Sequence, residues 1–370
     1  MKEKMTWGSA IAVFLVATAL RANGEDRVYV AGSTSSTIVS FSLATGGDPL
    51  IHASPGQAGF QAPQSFAFAD DENLIVCEWG IGSIQKYDPV AGEYLQVLVN
   101  GGVGGLNLPS GLLLTDAGTM LVSSQFSDSI LEFHQISGAF LRVVADSADG
   151  LARPRALLRL PDGNIVAANA GSDDLVVLNG LSEEFVRFIA RDNSQTPQDE
   201  SGGLDEPGGI IFDAGSQALL VTSRGTNQVL RFDYLSGNYV GEAVAANAGG
   251  LSAPTGMARA PDGTLLVASF GTNNIKRFAA DGSFLSDFVA AFAGGIAGPL
   301  QLVIVEDDAG GLLGDLNCDG TVTVSDIGGF VLALTNAAGY AAQFPACDIM
   351  HADVNGDGQV TVRDIGAFVS

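Results

Sequence analysis

The feature of this sequence that most constrains its fold is an internal repeat of roughly 45 residues. Six short segments end in a proline, at intervals of 46, 45, 53, 47 and 45 residues, and these prolines are Pro63, Pro109, Pro154, Pro207, Pro254 and Pro299. Each of the first five prolines opens an apolar run, which is followed by an acidic turn, a second apolar run, a polar loop and a third, alternating run. A weaker fourth run closes the repeat, as in EYLQVLVN and AFLRVVAD. Short apolar runs between Asp-Gly-type turns indicate antiparallel strands, and four strands per repeat are typical of a propeller blade.

The two ends of the repeat region indicate how such a ring would close. Residues 28–43 (VYVAGSTSSTIVSFSL) match the second and third strands of a repeat but lack the strand that begins at the proline. Residues 298–307 (GPLQLVIVED) supply that strand and nothing more. Together they make one blade, so the sequence predicts an all-β fold with five continuous blades and one split blade. A TIM barrel or doubly wound sheet would need helical periodicity between strands, which the repeats lack.

The repeated pattern resembles a known group of propellers. Its elements are Pro-x-Gly, an apolar run, Asp-Gly, an apolar strand and a segment of the form x-x-N-x-I-x-x-F. This combination resembles the NHL-repeat and SMP-30/virginiamycin-lyase-like six-bladed propellers over about residues 27–307. The resemblance implies a six-bladed β-propeller domain, which we place at residues 25–308. It does not imply one activity, because the group includes binding proteins, lyases and lactonases.

Composition restricts the classes of partner. The chain is 46% hydrophobic and 16% charged, with 48 glycines, which suits a folded protein with many tight turns rather than a disordered one. Its formal net charge is −24. A charge of this sign repels phosphate backbones and anionic membrane surfaces and attracts cations, so we expect no nucleic-acid partner.

The N-terminus has the pattern of an export signal. Two lysines precede an apolar run at residues 9–20, and residues 22–24 (Ala-Asn-Gly) offer small side chains for cleavage. The run is shorter than the ~20 residues that cross a bilayer, and no later segment is long enough, so no membrane span is predicted. We therefore expect residues 1–24 to be removed and the mature protein to be secreted, either extracellular or at the cell surface.

The polar loops that follow the second strand of each repeat form the first candidate site. These loops should lie on the same face as the prolines, around the mouth of the central channel. They offer acidic, basic, amide and aromatic side chains, which suits a concave binding site. The predicted ligand-binding residues are Glu78, Trp79, Gln125, Phe126, Arg155, Asn169, Arg224 and Phe270. Alternatively, these residues are ordinary packing residues of a propeller rim.

Residues for catalysis are scarcer. Lyases of the group that the repeat resembles depend on histidines at the channel, whereas the strand pattern brings none of His52, His134 and His351 there. Metal-dependent lactonases need a carboxylate–amide cluster, to which Glu78 and Asn169 could contribute, but the third acidic member is missing. No Gly-x-Ser-x-Gly, His-Glu-x-x-His or phosphate-cradling loop is present. The sequence therefore favours a non-catalytic propeller, and the alternative is a lyase, a lactonase or a polysaccharide-active enzyme.

Two near-copies of one acidic segment end the chain, namely DLNCDGTVTVSD at residues 315–326 and DVNGDGQVTVRD at residues 353–364. Each has side-chain oxygens at positions 1, 3, 5 and 12, a glycine at position 6 and a backbone carbonyl at position 7, which is the spacing of a calcium loop. We therefore predict two bound Ca²⁺ ions. The predicted ligands are Asp315, Asn317, Asp319, Thr321 and Asp326 in the first loop, and Asp353, Asn355, Asp357, Gln359 and Asp364 in the second.

A short helix is predicted after each loop. Val324, Ile327, Val331 and Leu334 recur at three- or four-residue steps, and residues 362–369 copy the start of this pattern. We expect the two apolar stripes to cover each other, because one loop–helix unit alone has little core. The segment departs from a full EF-hand, since position 12 is Asp rather than Glu and a glycine-rich stretch replaces the entering helix.

The duplicated loop–helix resembles a type I dockerin, in a form associated with planctomycete-like bacteria. The matching pattern is GDLNCDG…DI…FVLALT…GY…P-C…ADVNGDG…DI…FV, which includes two cysteines. The resemblance implies a domain at residues 313–370, after a linker at 309–312, that binds a cohesin-like or cell-surface protein. The family's recognition positions fall on Val324, Ser325, Val362 and Arg363. Cys318 and Cys347 could form a disulfide in an oxidising compartment, and Cys77 lies alone in an apolar run.

These patterns predict an exported, calcium-binding protein in which the propeller binds a protein or glycan ligand and the dockerin-like region docks it to a partner. Two alternatives remain at this stage. One is an enzyme carried by the same docking region, and the other is a propeller that serves only as a structural surface module.

Overall fold

The computed structural model describes residues 26–56, 59–71, 73–115, 117–180, 184–191, 201–305, 314–318, 322–344, 347, 349–354 and 360–365. The chain divides into two compact units, one built on Arg27–Val305 and the other on the residues after Val305. Several predicted features lie outside the described residues. They are the export signal at 1–24, the linker at 309–312 and the loop residues Asp319, Thr321, Asn355, Asp357 and Gln359.

The described part of the first unit consists of short β-strands joined by turns. The strands are β1 (Arg27–Gly32), β2 (Thr37–Ser42), β3 (Leu50–Ala53), β4 (Pro63–Phe68), β5 (Leu74–Glu78), β6 (Ser83–Tyr87), β7 (Tyr94–Val99), β8 (Pro109–Leu114), β9 (Thr119–Ser124), β10 (Ser129–His134), β11 (Phe140–Ala145), β12 (Pro154–Arg159), β13 (Ile165–Asn169), β14 (Asp174–Leu178), β15 (Phe185–Ile189), β16 (Pro207–Asp213), β17 (Ala218–Ser223), β18 (Gln228–Asp233), β19 (Tyr239–Val244), β20 (Pro254–Arg259), β21 (Leu265–Ser269), β22 (Asn274–Phe278), β23 (Phe284–Val289) and β24 (Pro299–Val305).

These strands form six four-stranded antiparallel sheets within the described residues, and each sheet is one blade. Five blades follow the chain, as β4–β7, β8–β11, β12–β15, β16–β19 and β20–β23, while blade 1 joins β24 to β1, β2 and β3. The strand that begins at a proline is the inner strand of its blade. The inner strands pack side by side in a closed ring, in the order β24, β4, β8, β12, β16, β20. The predicted all-β, six-bladed β-propeller is therefore confirmed.

The residue before the proline of an inner strand links neighbouring blades. This residue has a left-handed backbone, and its N–H donates to a side chain in the turn after the second strand of the preceding blade. The Arg153 N–H donates to Asp128 Oδ1 at 2.7 Å, and the Glu206 N–H donates to Asp173 Oδ1 at 2.8 Å. The same link joins Ala62 to Ser36, Ala253 to Asn227 and Gly298 to Asn273. The N–H of the residue with the unusual backbone is thereby satisfied, and the bond ties each blade to the one before it.

The glycine of the Pro-x-Gly segments is required by the close approach of neighbouring inner strands. A Cβ on Gly111 would lie 2.0 Å from the carbonyl oxygen of Arg155. A Cβ on Gly256 would lie 2.1 Å from the carbonyl oxygen of Leu300, which belongs to β24. The inner strands therefore meet through their backbones, and this contact leaves no room for a side chain.

Aromatic pairs attach the outer strand of a blade to the strand beside it. One aromatic residue of each pair lies on the third strand and is fully buried, and the other lies on the fourth strand. The centroids of the two rings are 5.6–5.8 Å apart. The pairs are Tyr87–Tyr94, Phe133–Phe140, Phe232–Tyr239 and Phe278–Phe284. Their tilted and edge-to-face geometry is the favoured arrangement of two aromatic rings, so the repeat stabilises its edge strands with one recurring contact.

The second unit is small and helical. It contains α1 (Ile327–Thr335) and α2 (Ala337–Gln343), with 3₁₀ turns at Val324–Asp326, Ile349–Ala352 and Val362–Asp364. Cys318 and Cys347 are joined by a disulfide with their Cα atoms 5.9 Å apart, whereas Cys77 of the propeller is a buried free thiol. Among all the residues described in either unit, no helix has the length and apolar character needed to cross a membrane.

The buried face of α1 differs from the predicted one. The helix buries Phe330 and Ala333 against Leu316, and a Cβ on Gly329 would lie only 2.6 Å from the Leu316 Cβ. The predicted stripe is largely exposed, at 84% for Val324, 49% for Ile327 and 51% for Val331. The expectation that this stripe is covered is therefore wrong for these three residues, because the loop packs onto the glycine-lined face that carries the larger phenylalanine.

We predict that Gly256→Ala destabilises the propeller, because the added Cβ meets the Leu300 backbone where β20 contacts the closing strand β24. The expected loss is about 1–3 kcal/mol in the free energy of unfolding, measured by denaturant titration. Gly215→Ala is the matched control, because a Cβ there meets no atom within 4 Å. Equal stability of the two variants would contradict the close-approach argument.

Candidate functional site

The mouth of the propeller is the end of the channel at which the inner strands begin. Its rim is built from one residue of each blade, the residue that follows the second strand. The N–H of this rim residue donates, over 2.9–3.4 Å, to the carbonyl oxygen of the residue that precedes the inner-strand proline. These rim residues are Ser33, Trp79, Gln125, Ala170, Arg224 and Phe270, in blades 1 to 6 respectively. Four of the six are among the predicted site residues. The sequence prediction missed Ser33 and Ala170, which are small but are marked by the same position in the repeat.

Glu78 and Asn169, two of the predicted residues, lie beneath the mouth rather than on its surface. Both are fully buried at the ends of their strands. Glu78 Oε2 accepts the N–H of Gln61 at 2.8 Å, and Asn169 Oδ1 accepts the N–H of Ala152 at 2.5 Å. The same bond joins Ser124 to Asn107, Ser223 to Asp205 and Ser269 to Ser252. This position therefore holds the loop that precedes each inner strand, and a hydroxyl is sufficient for that role.

Glu78 exceeds this structural requirement. Its second oxygen, Oε1, is buried and has no hydrogen-bond partner among the residues that the structure describes. Burial raises the pKa of Glu78 to about 8, and the hydrogen bond from the Gln61 N–H offsets only part of that effect. The carboxyl group is consequently protonated at neutral pH, and it is a neutral acid in a position where three other blades have serine.

An aromatic pair lies on one side of the mouth. The Trp79 indole N–H donates to Gln125 Oε1 at 3.2 Å, and the rings of Trp79 and Phe126 meet edge to face with centroids 6.5 Å apart. Trp79 is 37% exposed and Phe126 is 57% exposed. The position of Phe126 in the repeat is occupied elsewhere by Gly80, Gly171, Gly225 and Gly271. An exposed phenylalanine at a turn position that takes glycine in four other blades, and threonine in blade 1, is not explained by folding.

Two arginines lie on the other side of the mouth. Arg155, the second residue of β12, has an Nη2 that lies 4.0 Å from Glu206 Oε2. Burial, together with the positive charge of Arg224, lowers the pKa of Arg155 to about 10. Arg224 lies over the Phe270 ring, with its Cζ 4.6 Å from the centroid. Within the described residues, neither guanidinium donates a hydrogen bond to the protein, so their donors are available to a ligand.

The acidic loops of the second unit form a separate candidate site. Asp326 is fully buried, and its Oδ1 accepts the N–H groups of Leu316 and Asn317 at 3.0 and 3.1 Å. Its Oδ2 accepts the N–H of Thr323 at 2.8 Å, and Asp364 Oδ2 accepts the N–H of Thr361 in the second copy at the same distance. Among the described residues, no group of three or more His, Cys, Asp or Glu side chains is assembled.

The charge of these loops nevertheless suits a hard cation. Asp315 and Asp326 of the first loop, and Asp353 and Asp364 of the second, are all buried. Arg363 is the one lysine or arginine in the sequence from residue 314 onward. Several buried carboxylates with so little basic compensation are costly unless a cation is bound. Carboxylate and amide oxygens are also the ligand types that Ca²⁺ prefers.

No family profile matches the sequence, and no curated protein sequence matches it. Among solved structures, the chain is similar to one in the crystal structure of a nidogen–laminin complex, with 17% identity, coverage of 76% of this chain and 99% of that chain, and a TM-score of 0.60. It is also similar to a protein of unknown function from Bacteroides caccae, with 12% identity, coverage of 76% and 99%, and a TM-score of 0.53. A virginiamycin B lyase from Staphylococcus aureus aligns with 15% identity over 60% of this chain and 68% of its own, with a TM-score of 0.44.

At these identities the first two matches define a fold. The protein is a six-bladed β-propeller, a class in which the open end of the channel is suited to ligand binding.

We predict that Glu78→Gln changes the pH dependence of stability. The folded state holds the Glu78 proton more tightly than the unfolded state, in which the pKa of Glu78 has its ordinary value of 4.5. Stability contributed by this group is therefore full below about pH 4.5, falls as the pH rises to about 8, and is constant above that. The glutamine variant should gain stability relative to the parent across this window, on the order of 5 kcal/mol. Thermal unfolding at closely spaced pH values measures the difference.

Glu93→Gln serves as the control, because Glu93 is exposed in a turn. If the difference between Glu78→Gln and the parent stays constant from pH 5 to pH 8, the carboxyl group is not held neutral by burial.

Proposed function

We propose that this protein is an exported, calcium-binding adaptor. In this proposal a non-catalytic, NHL-like propeller at residues 25–308 binds a protein or glycan ligand at its mouth. Residues 1–24 are removed on export. A type I dockerin at residues 313–370 then docks the propeller and its ligand to a cohesin-like or cell-surface protein. The observation that carries the binding role is the mouth itself, where Trp79, which is 37% exposed, and the half-buried Arg224 and Phe270 occupy rim positions that blades 1 and 4 fill with serine and alanine.

The chemistry of the mouth favours binding over turnover. His52, His134 and His351 all lie in the described residues, and none is on the rim. His52 is buried in blade 1, between Ser40 Oγ at 2.8 Å and the Pro89 carbonyl oxygen at 2.6 Å. Burial lowers the pKa of His52, so it is a neutral structural group.

The alternative function is a propeller lyase, a lactonase or a polysaccharide-active enzyme carried by the dockerin. The specific observation in its favour is Glu78, whose unpartnered Oε1 and raised pKa suit a general acid. Its complete burial beneath the rim, together with its structural bond to Gln61, favours the adaptor instead.

Calcium ions in the second unit would be held by the two acidic loops. The proposed ligands are Asp315, Asn317, Asp319, Thr321 and Asp326 for one ion, and Asp353, Asn355, Asp357, Gln359 and Asp364 for the other. Bound Ca²⁺ would supply the positive charge that these loops lack. The chain itself already orients the twelfth residues, because Asp326 and Asp364 accept N–H groups of their own loops.

The proposed docking surface is duplicated in the same way as the loops. Val324 is 84% exposed and Val362, its counterpart in the second loop, is 74% exposed. Ile327 and Ile365, one turn further on, are 49% and 43% exposed. Ser325 and Arg363 lie beside the two valines. Exposed apolar side chains at matching positions of two copies favour a protein partner, and we propose a cohesin-like one.

We predict that a fragment of residues 313–370 gains helical circular dichroism when Ca²⁺ is added to millimolar concentration and loses it with a chelator. The reason is that so short a segment has little core and depends on the metal for part of its folding free energy. The Asp315→Asn/Asp353→Asn double variant should not respond. A parent spectrum that is unchanged across the titration would refute the calcium proposal.

We predict that the calcium-loaded whole protein captures a cohesin-like partner from its own culture, and that Val324→Asp/Val362→Asp abolishes this capture. A buried carboxylate in an apolar interface is strongly unfavourable. The matched control is Val90→Asp, which adds the same charge at a 54% exposed position of the propeller. Capture that persists in chelator, or that the two variants affect equally, would contradict docking through these valines.

A further inference from the structure

The repeat provides an internal standard for what the fold needs at the mouth. Blades 1 and 4 place Ser33 and Ala170 on the rim, so neither ring closure nor the rim hydrogen bond needs a large side chain there. Blades 2 and 5 place Trp79 and Arg224 at the same position. In a six-membered ring, blades 2 and 5 are opposite each other. The mouth therefore has an aromatic side and a cationic side that folding does not require.

The guanidinium groups of the cationic side donate no hydrogen bond to the part of the chain that the structure describes. The Arg224 guanidinium makes no hydrogen bond or ion pair with the described residues, and its Cζ lies over the Phe270 ring, 4.6 Å from the centroid. The Arg155 guanidinium is near Arg224, and the carboxylate closest to it, on Glu206, is 4.0 Å away. Two neighbouring guanidiniums repel each other and offer forked pairs of N–H groups, which match the two oxygens of a carboxylate.

The aromatic side presents a surface with one polar edge. The Trp79 indole is held by its N–H bond to Gln125, and the Phe126 ring extends the apolar surface into solvent. Large, rigid aromatic side chains give contact area at little conformational cost, and the C–H face of a sugar ring is an apolar surface of suitable size. A ligand with both a carboxylate and such a face matches the chemistry of both sides.

We propose that the mouth binds an oligosaccharide of hexuronic acids, with a carboxylate on Arg155 and Arg224 and a sugar face on Trp79 and Phe126. This inference rests on the proposed binding role of the mouth and names its ligand class. The net charge of −24 opposes an anionic ligand, but exposed charges more than about 8 Å away are largely screened at physiological salt. The two guanidiniums in direct contact therefore decide the sign of the interaction.

Isothermal titration calorimetry of the full chain tests the inference, with trigalacturonate, its methyl ester, maltotriose and sulfated maltotriose as probes at fixed calcium and salt. Trigalacturonate should bind, whereas the methyl ester and maltotriose should bind about ten- to a hundredfold more weakly, because one charge-assisted contact is lost. Equal binding of the acid and the ester, or tighter binding of the sulfated probe, would overturn the assignment to a carboxylate.

Single-residue variants identify which side chains contact the ligand, and the other blades indicate which substitutions the fold tolerates. Arg224→Ala and Trp79→Ala introduce the residue that blade 4 has on the rim, and Phe126→Gly introduces the residue that four other blades have. Each should keep the parent unfolding temperature within a few degrees, while Arg224→Ala raises the Kd for trigalacturonate about ten- to a hundredfold. Arg142→Ala removes the same charge from an outer strand and should leave the Kd unchanged. A similar loss in Arg142→Ala would overturn the proposed site.

A panel of neutral glycans and peptides separates this inference from the binding role on which it rests. If trigalacturonate fails but another ligand binds and is lost in Trp79→Ala, the uronate assignment falls and the binding role of the mouth stands. If no ligand on the panel depends on Trp79 or Arg224, both fall.

Discussion

The antiparallel pairing of β24 with β1 is the interaction on which the rest of the propeller depends. It pairs Arg27 with Val305 and Tyr29 with Val303, and so joins the two ends of the ring. Without β24, blade 1 would have no inner strand, and the inner strands β4 and β20 would each lose a neighbour. The closure is non-local, but the entropic cost of joining distant segments rises only logarithmically with their separation. One extra strand far along the chain is therefore enough to complete the ring.

Ring closure also determines which positions at the mouth are free to vary. The side chain of the last residue of a second strand accepts a hydrogen bond from an N–H of the loop before the inner strand. In blade 1 this residue is Gly32, which has no side chain, and Ser35 accepts the N–H of Ala297 instead. The residue that follows the second strand supplies only its backbone N–H to the rim hydrogen bond, so this bond does not select its side chain. Side chains as different as Ser33, Trp79, Ala170 and Arg224 therefore occupy this position in one fold.

Periodicity made the propeller, its blade number and four of the six rim positions predictable, because equivalent positions of a repeat occupy equivalent places. It did not separate Glu78 from Trp79. The two are adjacent in the chain, but one side chain turns toward Gln61 and the other toward solvent. In α1 the pattern was misleading, because Val324, Ile327 and Val331 are as apolar as the residues that are buried. The packing partner Leu316 selected the Phe330 face, and helical periodicity contains no information about that partner.

The sequence by itself determined the architecture, since the spacing of prolines, Asp-Gly turns and apolar runs allows few other folds. It also determined the spacing of acidic and amide residues in the two terminal segments, which is a property of twelve consecutive residues. Only the tertiary structure decided which polar side chains at the mouth are structural and which are available. The decision depends on acceptors supplied by other segments, such as the N–H of Gln61 for Glu78, and on their absence around Arg224 within the described residues. Hydrogen-bond satisfaction is a property of the folded surroundings, and local sequence does not specify it.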